Sequence, residues 1–480
     1  YYTNGPFEHD NRYFRGNLLG KATMNPSARS ELSVTGTFHK SQWNASGEIP
    51  LRAVQDGSLD RFGAVDPSEG GRTMRSTGRL NYHYDTTSGG RFFANAYAQY
   101  YRFDLFTNFT FFQNDPVNGD GFQQSDRRIM YGGDIGYKQN GRWFDMDGAA
   151  TVGVQSRVDH IHARLGPQVL RNPLGSTSDT DITEASYAPF FKLEVQPAPW
   201  MRLAGGIRSE VFTFDVRNRC QTCVTQPSGT ADSGLMLPKA NLILGPWLRT
   251  EFFLNYGEGY HSNDARSAVT PAASPLARAK SYEVGLRSRP WGSDGIELTA
   301  TVWALDMKQE LVFVGDEGTT EIRGASRRRG MEVGARGQVW GPVYFNGSIT
   351  WTKAEFRNGD AIPLAPELTA YGALLLRWPE GFTSQLQATY LGVRPLTEDR
   401  SIRAPSWIDV DLSERYQIPI KLAHGRLEAF LFVQNLLNTK WEQAVFAFES
   451  RLRNEATGVT DIHFVPGNPR MVMGGVAWYF

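Results

Sequence analysis

Residues 343–352 read Val-Tyr-Phe-Asn-Gly-Ser-Ile-Thr-Trp-Thr, and apolar and polar residues alternate along most of this stretch. Its main apolar side chains fall on alternate positions: Val343, Phe345, Ile349 and Trp351. Successive side chains of a β-strand point to opposite faces, so the stretch has one apolar and one polar face. A strand of about ten residues crosses a bilayer when it is tilted, whereas ordinary globular strands have about five or six residues.

The same alternation recurs along the chain, for example in residues 296–304 and 382–390. The connections between such runs alternate strictly in length. Short turns are expected at 25–29, 86–90, 139–142, 196–199, 245–247, 290–295, 340–342 and 378–381. Longer polar stretches lie between them, such as 41–70, 107–125, 159–181, 217–234, 262–278 and 438–468. Membrane barrels keep short turns on the periplasmic side and long loops outside. The pattern therefore predicts an all-β protein, a transmembrane antiparallel β-barrel.

The composition agrees with this prediction and excludes other classes. Of 480 residues, 50 are Lys or Arg and 50 are Asp or Glu, and this balance argues against a nucleic-acid-binding protein. Two cysteines are too few for a disulfide scaffold or a multi-cysteine metal site. The 49 glycines, the 12% aromatic residues and a mean hydropathy below zero suit a barrel with lipid outside and water inside. No composition break divides the chain, so we predict one domain over residues 1–480, without a cofactor or bound metal.

The end of the chain and the number of strands indicate where in the cell the protein lies. Val472, Val476, Trp478 and Phe480 share one face, a pattern similar to the C-terminal signal by which the barrel assembly machinery recognises outer-membrane proteins. Its alternative is an ordinary last strand with interfacial aromatics. We count about nineteen crossings, whereas bacterial single-chain barrels have an even number and large plugged transporters have 22. The chain also begins at Tyr1 without a signal peptide, so we expect roughly three strands of a 22-stranded barrel to be absent.

Several motifs resemble those of TonB-dependent outer-membrane receptors. Phe-Leu-Phe-Val-Gln-Asn-Leu-Leu-Asn at 430–438 is similar to the family's penultimate strand, and Gly-Asn-Pro-Arg at 467–470 precedes the last one. Ser-Tyr-Glu-Val-Gly-Leu at 281–286 and Arg-Gly-Met-Glu-Val at 329–333 resemble two further strands. The stretch 256–264, Tyr-Gly-Glu-Gly-Tyr-His-Ser-Asn-Asp, resembles one common in proteobacterial members.

The resemblance covers essentially the whole chain. It implies an outer-membrane location in a Gram-negative bacterium, a barrel filled by an N-terminal plug, and coupling to the TonB-ExbB-ExbD complex through a TonB box. Neither plug nor box is in this sequence. It further implies uptake of a small molecule or metal chelate such as a ferric siderophore, and contact with lipopolysaccharide. Siderophore, haem, cobalamin and oligosaccharide receptors share the architecture, so the substrate stays open.

Two groups of loop residues are candidate ligand contacts. The first is the aromatic stretch 100–112, with Phe106, Phe109, Phe111 and Phe112, whose rings can stack on a chelate or a sugar. The alternative is that they belong to the interfacial girdle and to packing between loops. The second is His261 with Asn263, in the family-like stretch 256–264, for which a structural hydrogen-bonding role is the alternative.

Three further motifs favour structural interpretations. Cys220 and Cys223 lie in a predicted outer loop, where an oxidising compartment favours a local disulfide over a redox or metal role. His160 and His162 lack a third ligand, so we expect no metal site there. The run Arg327-Arg328-Arg329 has three alternatives, namely lipopolysaccharide phosphates, the lumen wall and plain solvation.

Three functions compete at this stage. The first is a receptor that transports a scarce nutrient with TonB energy. The second is a passive porin or an adhesin barrel, which an upstream plug sequence would eliminate. The third is a barrel enzyme, for which no Ser/His/Asp or paired-acid motif distinguishes itself. We predict the first and expect the protein not to be an enzyme.

Overall fold

A computed structural model describes residues 1–220, 223, 227–270, 274–292, 295–314, 319–420 and 425–479. Within these residues the chain forms 28 strands and two short helices. The first half comprises β1 (Tyr2–Thr3), β2 (Tyr13–Ser27), β3 (Ser30–Asn44), β4 (Ile49–Pro50), α1 (Leu51–Gln55), β5 (Gly70–Asp85), β6 (Gly90–Thr107), β7 (Phe122–Trp143), β8 (Met146–Val169), β9 (Asn172–Pro173), β10 (Ser178–Ala198), β11 (Met201–Asn218), β12 (Gly229–Trp247) and β13 (Thr250–Ser262). The second half comprises α2 (Ala265–Ala268), β14 (Leu276–Ser288), β15 (Glu297–Met307), β16 (Glu310–Val314), β17 (Thr319–Arg323), β18 (Ser326–Trp340), β19 (Val343–Phe356), β20 (Leu368–Arg377), β21 (Phe382–Leu391), β22 (Arg394–Pro395), β23 (Arg403–Ala404), β24 (Trp407–Ile418), β25 (Arg426–Gln434), β26 (Glu442–Ser450), β27 (Val459–Pro466) and β28 (Met471–Tyr479).

One antiparallel sheet of 21 strands dominates the fold. Two of these strands, β1 and β9, have only two residues each, which leaves nineteen long strands paired in chain order from β2 to β28. The prediction of an all-β antiparallel barrel wall with about nineteen crossings is confirmed. Neither of the two short helices, nor any other helical segment of the described residues, is long and apolar enough to span a membrane.

The two faces of this sheet differ in chemistry, as the alternation predicts. The outward face carries exposed large hydrophobic side chains on strand after strand, among them Leu80, Ile135, Val284, Val302 and Ile349. The opposite, lumen-facing side carries polar and charged residues, for example Asn95 hydrogen-bonded to Asp134 at 2.9 Å. Exposed apolar surface of this extent fits a lipid environment.

Tryptophans mark the end of the wall where the short turns lie. Six exposed ones stand beside short turns or at the last strand: Trp200, Trp247, Trp291, Trp340, Trp378 and Trp478. Tryptophan prefers the boundary between lipid and water, because its ring is apolar and its N–H is polar. This end therefore corresponds to one membrane interface, and the long loops extend from the other end.

Several connections differ from the sequence-based boundaries. The predicted loop over 159–181 is wrong in most of its length, because β8 continues to Val169 and β10 begins at Ser178. The predicted turns at 139–142 and 245–247 are also wrong, since those residues belong to β7 and β12. The true turns are at Phe144-Asp145 and Leu248-Arg249, all four with positive φ. Such two-residue hairpin turns usually carry Asn or Gly, so these pairs give no turn signal.

Buried apolar residues collect at the long-loop end. One cluster packs the loop between β13 and β14 onto the lumen face of β8, β10 and β11; its buried members are Ile161, Ile182, Phe214, Val216, Ala265, Ala268 and Leu276. The second cluster joins three other loops; its buried members are Ile49, Leu396, Ala404, Val445 and Phe464. Both buried apolar clusters of the described residues thus lie at the long-loop end of the wall.

Candidate functional site

A compact cap forms over part of the mouth from loops far apart in sequence. We call the segments 45–69, 108–121, 392–406 and 435–470 the loop cap. The strands β26, β27 and β4 form a three-stranded antiparallel sheet within it, in which His463 stands opposite Pro50 and Phe464 opposite Ile49. Phe464 and Ile49 are at most 1% exposed. The cap therefore has a hydrophobic core of its own.

Arg52, in α1, is the main polar link inside the cap. Its guanidinium Nε donates to Glu455 Oε1 at 2.7 Å, and its Nη2 donates to the Ser450 carbonyl at 3.0 Å. Its backbone N–H donates to Asp461 Oδ2 at 2.8 Å. The neighbouring carboxylates raise the pKa of Arg52 further, although its burial acts in the opposite direction. One arginine thus joins the loop after β3 to the hairpin β26–β27.

His463 lies at the centre of the same hairpin and is fully buried. Its Nε2 and the Ser450 hydroxyl are 2.6 Å apart, and its ring stacks on Phe448 with a centroid distance of 3.8 Å. Burial lowers the pKa of His463 to about 4. The imidazole is therefore neutral at physiological pH and acts as a packing and hydrogen-bonding group. A buried serine–histidine pair that no substrate reaches does not form a catalytic site.

A buried carboxyl group lies at the base of the cap. Glu69 is 1% exposed, and burial together with the nearby carboxyls of Glu48 and Asp66 raises its pKa well above the usual range. Burial raises the pKa of Glu48 as well. These two carboxyl groups favour the folded loop while they are protonated, so their contribution to its stability falls as pH rises. The contribution of His463 falls as pH falls, because its neutral form is the one that the fold accommodates.

The aromatic stretch predicted as a ligand contact lies mostly within the packing of the cap. Phe111 is 1% exposed, and its ring centroid is 6.2 Å from that of His463. The guanidinium of Arg453 lies 4.4 Å from the ring centroid of Phe112. The backbone N–H of Phe112 donates to the Arg451 carbonyl at 3.0 Å. These contacts bind the loop after β6 to the last long loop.

Phe106 and Phe109 complete the stretch. The ring of Phe109 lies 5.5 Å from that of Phe122 and 6.0 Å from that of Phe448, measured between centroids. Phe106 is buried, and the guanidinium of Arg171 lies 5.3 Å from its ring centroid. Packing between loops, the alternative stated above, accounts for all four positions. A direct contact with a ligand stays a prediction for them.

His261 and Asn263, the second predicted pair, lie in different environments. His261 is exposed near the end of β13. Asn263 is 4% exposed, and its backbone N–H donates to the Pro275 carbonyl at 3.0 Å, which closes the base of the loop that carries α2. A ligand contact of His261 stays a prediction, whereas Asn263 holds the base of the loop.

A recess in the inner wall brings together residues that the sequence did not single out. Its volume is about 760 Å³, and it is lined by inward-facing side chains of β7 to β13, among them Asp134, Phe190, Lys192, Arg208, Lys239 and Tyr260. Arg208 donates to Glu210 at 2.6 Å and to Gln155 at 2.7 Å, so its orientation is fixed. The ion pairs among the described residues do not include Lys239. The recess therefore combines cations with the carboxylates of Asp134 and Glu258 and with the rings of Phe190 and Tyr260, a mixture that suits a polar ligand with a planar part.

The remaining predicted residues lie away from this recess. The sulfur atoms of Cys220 and Cys223 are bonded to each other. His160 and His162 belong to β8 and not to a loop; His162 Nδ1 is 2.8 Å from Asp181. Among the described residues no group of three or more His, Cys, Asp or Glu side chains is placed to hold a metal. Trp478 is exposed on the outward face of β28, and Phe480 lies outside the described residues.

Comparisons with known proteins agree with the architecture. A family model described as "TonB dependent receptor-like, beta-barrel" matches residues 8–436. A comparison with curated protein sequences gives no match.

Solved structures with the same fold include three receptors for iron compounds. The ferric citrate transporter FecA in its unliganded form has a TM-score of 0.81 at 14% identity, over 98% of this chain and 71% of that one. The siderophore receptor PiuA from Acinetobacter baumannii has a TM-score of 0.80 at 12% identity, over 99% and 76%. The ferric yersiniabactin uptake receptor FyuA from Yersinia pestis has a TM-score of 0.76 at 13% identity, over 100% and 74%. At such identities the likeness concerns the fold alone.

Proposed function

The chain belongs to the family of TonB-dependent receptor-like β-barrels, and from this membership we propose that it takes up a scarce metal chelate, such as a ferric siderophore, across the outer membrane of a Gram-negative bacterium. TonB, with ExbB and ExbD, supplies the energy. Family members and the similar structures are transport receptors, which supports a function other than catalysis.

The observation that carries the proposal is the contrast between the two faces of the wall. Apolar side chains cover the outside, while a recess opens on the inside with Arg208 and with Lys239, which is in none of the ion pairs among the described residues. Ferric chelates are large, polar and often anionic, so a charged inner wall offers them contacts that a lipid-facing surface does not. The similarity to receptors for ferric citrate and ferric yersiniabactin points to the same class of substrate.

The proposal is tested by growth under iron limitation. A strain that lacks the gene is supplied with one ferric chelate at a time, and the gene is then restored. We expect growth on at least one chelate only when the gene is present. No growth defect on any chelate would contradict the proposal.

A passive porin or an adhesin is the second candidate. Its supporting feature is the set of long loops at one end, which a constriction or an adhesive surface would also use. Conductance across a planar lipid bilayer separates the two functions. The product of the complete gene is measured, because a barrel without a plug would conduct in either case. A porin gives stable open channels, whereas an energy-dependent receptor gives none without TonB.

A further inference from the structure

Two arginines on the inner face of β5 have no partner among the described residues. Arg75 and Arg79 alternate with lipid-facing residues such as Leu80, so their side chains point into the lumen. Both are exposed, and neither takes part in an ion pair or a side-chain hydrogen bond within the described part of the chain. Other arginines of the inner wall are paired, for example Arg157 with Asp159 at 2.7 Å. The two guanidinium groups are therefore available to an anion in the lumen.

The neighbouring strand β6 places a tyrosine beside each of these arginines. Arg75 stands opposite Tyr101, and Arg79 stands opposite Tyr97. Opposed residues of antiparallel strands share a face, with their Cβ atoms about 5 Å apart. We call the nine residues of these three successive inward rows on β3, β5 and β6 the lumen column: His39, Arg75, Tyr101, Thr37, Thr77, Gln99, Thr35, Arg79 and Tyr97. The column contains no Asp or Glu, so it carries positive charge and attracts anions.

The tyrosines continue an aromatic surface that begins at the mouth. The hydroxyl of Tyr97 lies over Gly132 of β7, where an added Cβ would come 2.9 Å from it, so the ring lies along the wall. The ring centroid of Phe103 is 6.4 Å from that of Tyr101, and the ring centroid of Trp43 is 6.5 Å from that of Phe103. Neither tyrosine hydroxyl has a hydrogen bond among the described residues. Aromatic rings thus lead from the outer end of β3 to the two arginines.

The column lies within the membrane-crossing part of the wall and adjoins the recess. Leu80, next to Arg79, is 44% exposed on the lipid-facing side, so Arg79 is level with the apolar band. Arg75 is four residues nearer the loop cap, which is roughly 13 Å along the strand. Asn95, on the same face of β6, donates to Asp134 of the recess at 2.9 Å. The column is thus a cationic surface beside the recess and deeper than the mouth.

We propose that the lumen column binds the catecholate or phenolate arms of a ferric chelate on its way through the lumen. Each arm stacks its ring on Tyr101 or Tyr97, and its anionic oxygens accept hydrogen bonds from the guanidinium of Arg75 or Arg79. Citrate would use the arginines without the tyrosines, and a neutral sugar would use the tyrosines without the arginines. An aromatic anion uses both. This assignment rests on the proposed function and adds to it the chemical class of the substrate.

Labelling of an introduced thiol tests the column in the purified product of the complete gene, without TonB. Thr77→Cys places a thiol in the middle row of the column, and Thr301→Cys places the control thiol on the inner face of β15. Cys220 and Cys223 are bonded to each other and do not react. A neutral methanethiosulfonate is the label, and the competitors are ferric citrate and the ferric complex of 2,3-dihydroxybenzoate. The aromatic complex should protect Thr77→Cys at a concentration about tenfold below that of citrate, because two ring contacts are added. It should leave Thr301→Cys unprotected.

Arginine variants in the Thr77→Cys background test the charge. Arg75→Ala/Arg79→Ala should raise the half-protecting concentration of the aromatic complex about tenfold or more, because hydrogen bonds to charged groups are strong. Arg202→Ala is the matched control on the inner face of β11. The Glu251 carboxylate that Arg202 binds keeps a second arginine partner, so this control should be protected as the parent is.

Tyrosine variants in the same background test the rings. Tyr97→Leu/Tyr101→Leu should raise the half-protecting concentration of the aromatic complex about fivefold and leave that of citrate unchanged. Tyr97→Phe/Tyr101→Phe keeps both rings and should be protected as the parent is.

Several results would overturn the proposal. They are equal protection of the parent and the double arginine variant, equal protection by citrate and the aromatic complex, and equal protection of Thr301→Cys. Failure of the label to reach Thr77→Cys without any chelate would also overturn it, since another part of the protein would then cover the column. TonB-dependent uptake of iron is scored separately, so a column that binds the aromatic complex in a protein without such uptake contradicts only the proposed function.

Discussion

Arg52 and Glu455 are 403 residues apart in the chain and form a two-pronged ion pair, with Nε 2.7 Å from Oε1 and Nη2 2.8 Å from Oε2. Both side chains are about one-fifth exposed. The pair joins a loop near the start of the chain to one near its end, so it helps to hold the loop cap together.

Replacing Arg52 with alanine should loosen the cap. The change leaves Glu455 half-buried without its cation and removes the bonds to Ser450, which we expect to cost about 1–3 kcal/mol of local stability. Hydrogen exchange of β26 and β27 measures this cost. Arg91→Ala is the matched control, because its pair with Asp85 is exposed at the short-turn end and should contribute little. Unchanged exchange in Arg52→Ala would contradict the role given to this residue.

Acidification should open the same hairpin through His463. The pKa of its buried imidazole is about 4, against 6.5 for an exposed histidine. Above pH 6.5 both the closed and the open cap hold it neutral. Between pH 6.5 and 4 only the open cap takes up the proton, so stability falls as pH falls, by up to about 1.4 kcal/mol per pH unit.

Hydrogen exchange at pH 7 and pH 5 tests this dependence, with His463→Gln as the reference. The raised pKa of Glu69 acts in reverse, since that carboxyl stabilises the fold most at low pH and loses its contribution as pH rises. The difference between wild type and His463→Gln cancels the Glu69 contribution, because both proteins retain that residue. A pH response of the same size in both proteins would rule out His463 as its source.

Removing a cation from the inner recess should weaken chelate binding. Lys239→Ala removes a positive charge that has no ion-pair partner among the described residues, and we expect roughly a tenfold loss of affinity for an anionic ferric chelate. Lys353→Ala is the control, because that side chain is 62% exposed. Tryptophan fluorescence quenching gives both affinities. Equal losses in the two variants would show that the recess is not the binding surface.

The strands were predictable from sequence, whereas several turns were not. Alternation at 343–352 follows from lipid on one side and water on the other, and β19 occupies Val343–Phe356. The turn at Leu248-Arg249 has positive φ at both residues without Asn or Gly, so nothing in the sequence marks it. The sequence places His160 in a loop, because the polar residues around it do not indicate that β8 extends beyond the membrane.

The site was less predictable, because register decides which side chains meet. Phe111 is conspicuous in sequence, yet His463 approaches it only after two distant loops pack. Arg208 and Lys239 come together from β11 and β12, and neither belongs to a recognisable motif. The alternation of polar and apolar residues along β10 to β12 indicates which side chains face the lumen. It does not indicate which of those side chains line the recess.

The end of the chain carries a prediction about assembly. Trp478 is 59% exposed on the outward face, and Phe480 follows it with the same phase. The sequence predicts that the barrel assembly machinery recognises this segment, so Trp478→Ala and Phe480→Ala should each lower the amount of protein in the outer-membrane fraction. Trp291→Ala, at a short turn, serves as the control for loss of an exposed tryptophan. Wild-type amounts of both terminal variants would leave the segment as an ordinary strand.

Energised uptake predicts that the initial rate of radioactive iron uptake from a ferric chelate depends on TonB, and this rate is the decisive measurement. Cells that express the complete gene are compared with and without a functional TonB. We expect rapid uptake in the first strain and none above background in the second, with chelate still bound at the surface in both. Equal rates in the two strains would contradict it and favour a passive barrel.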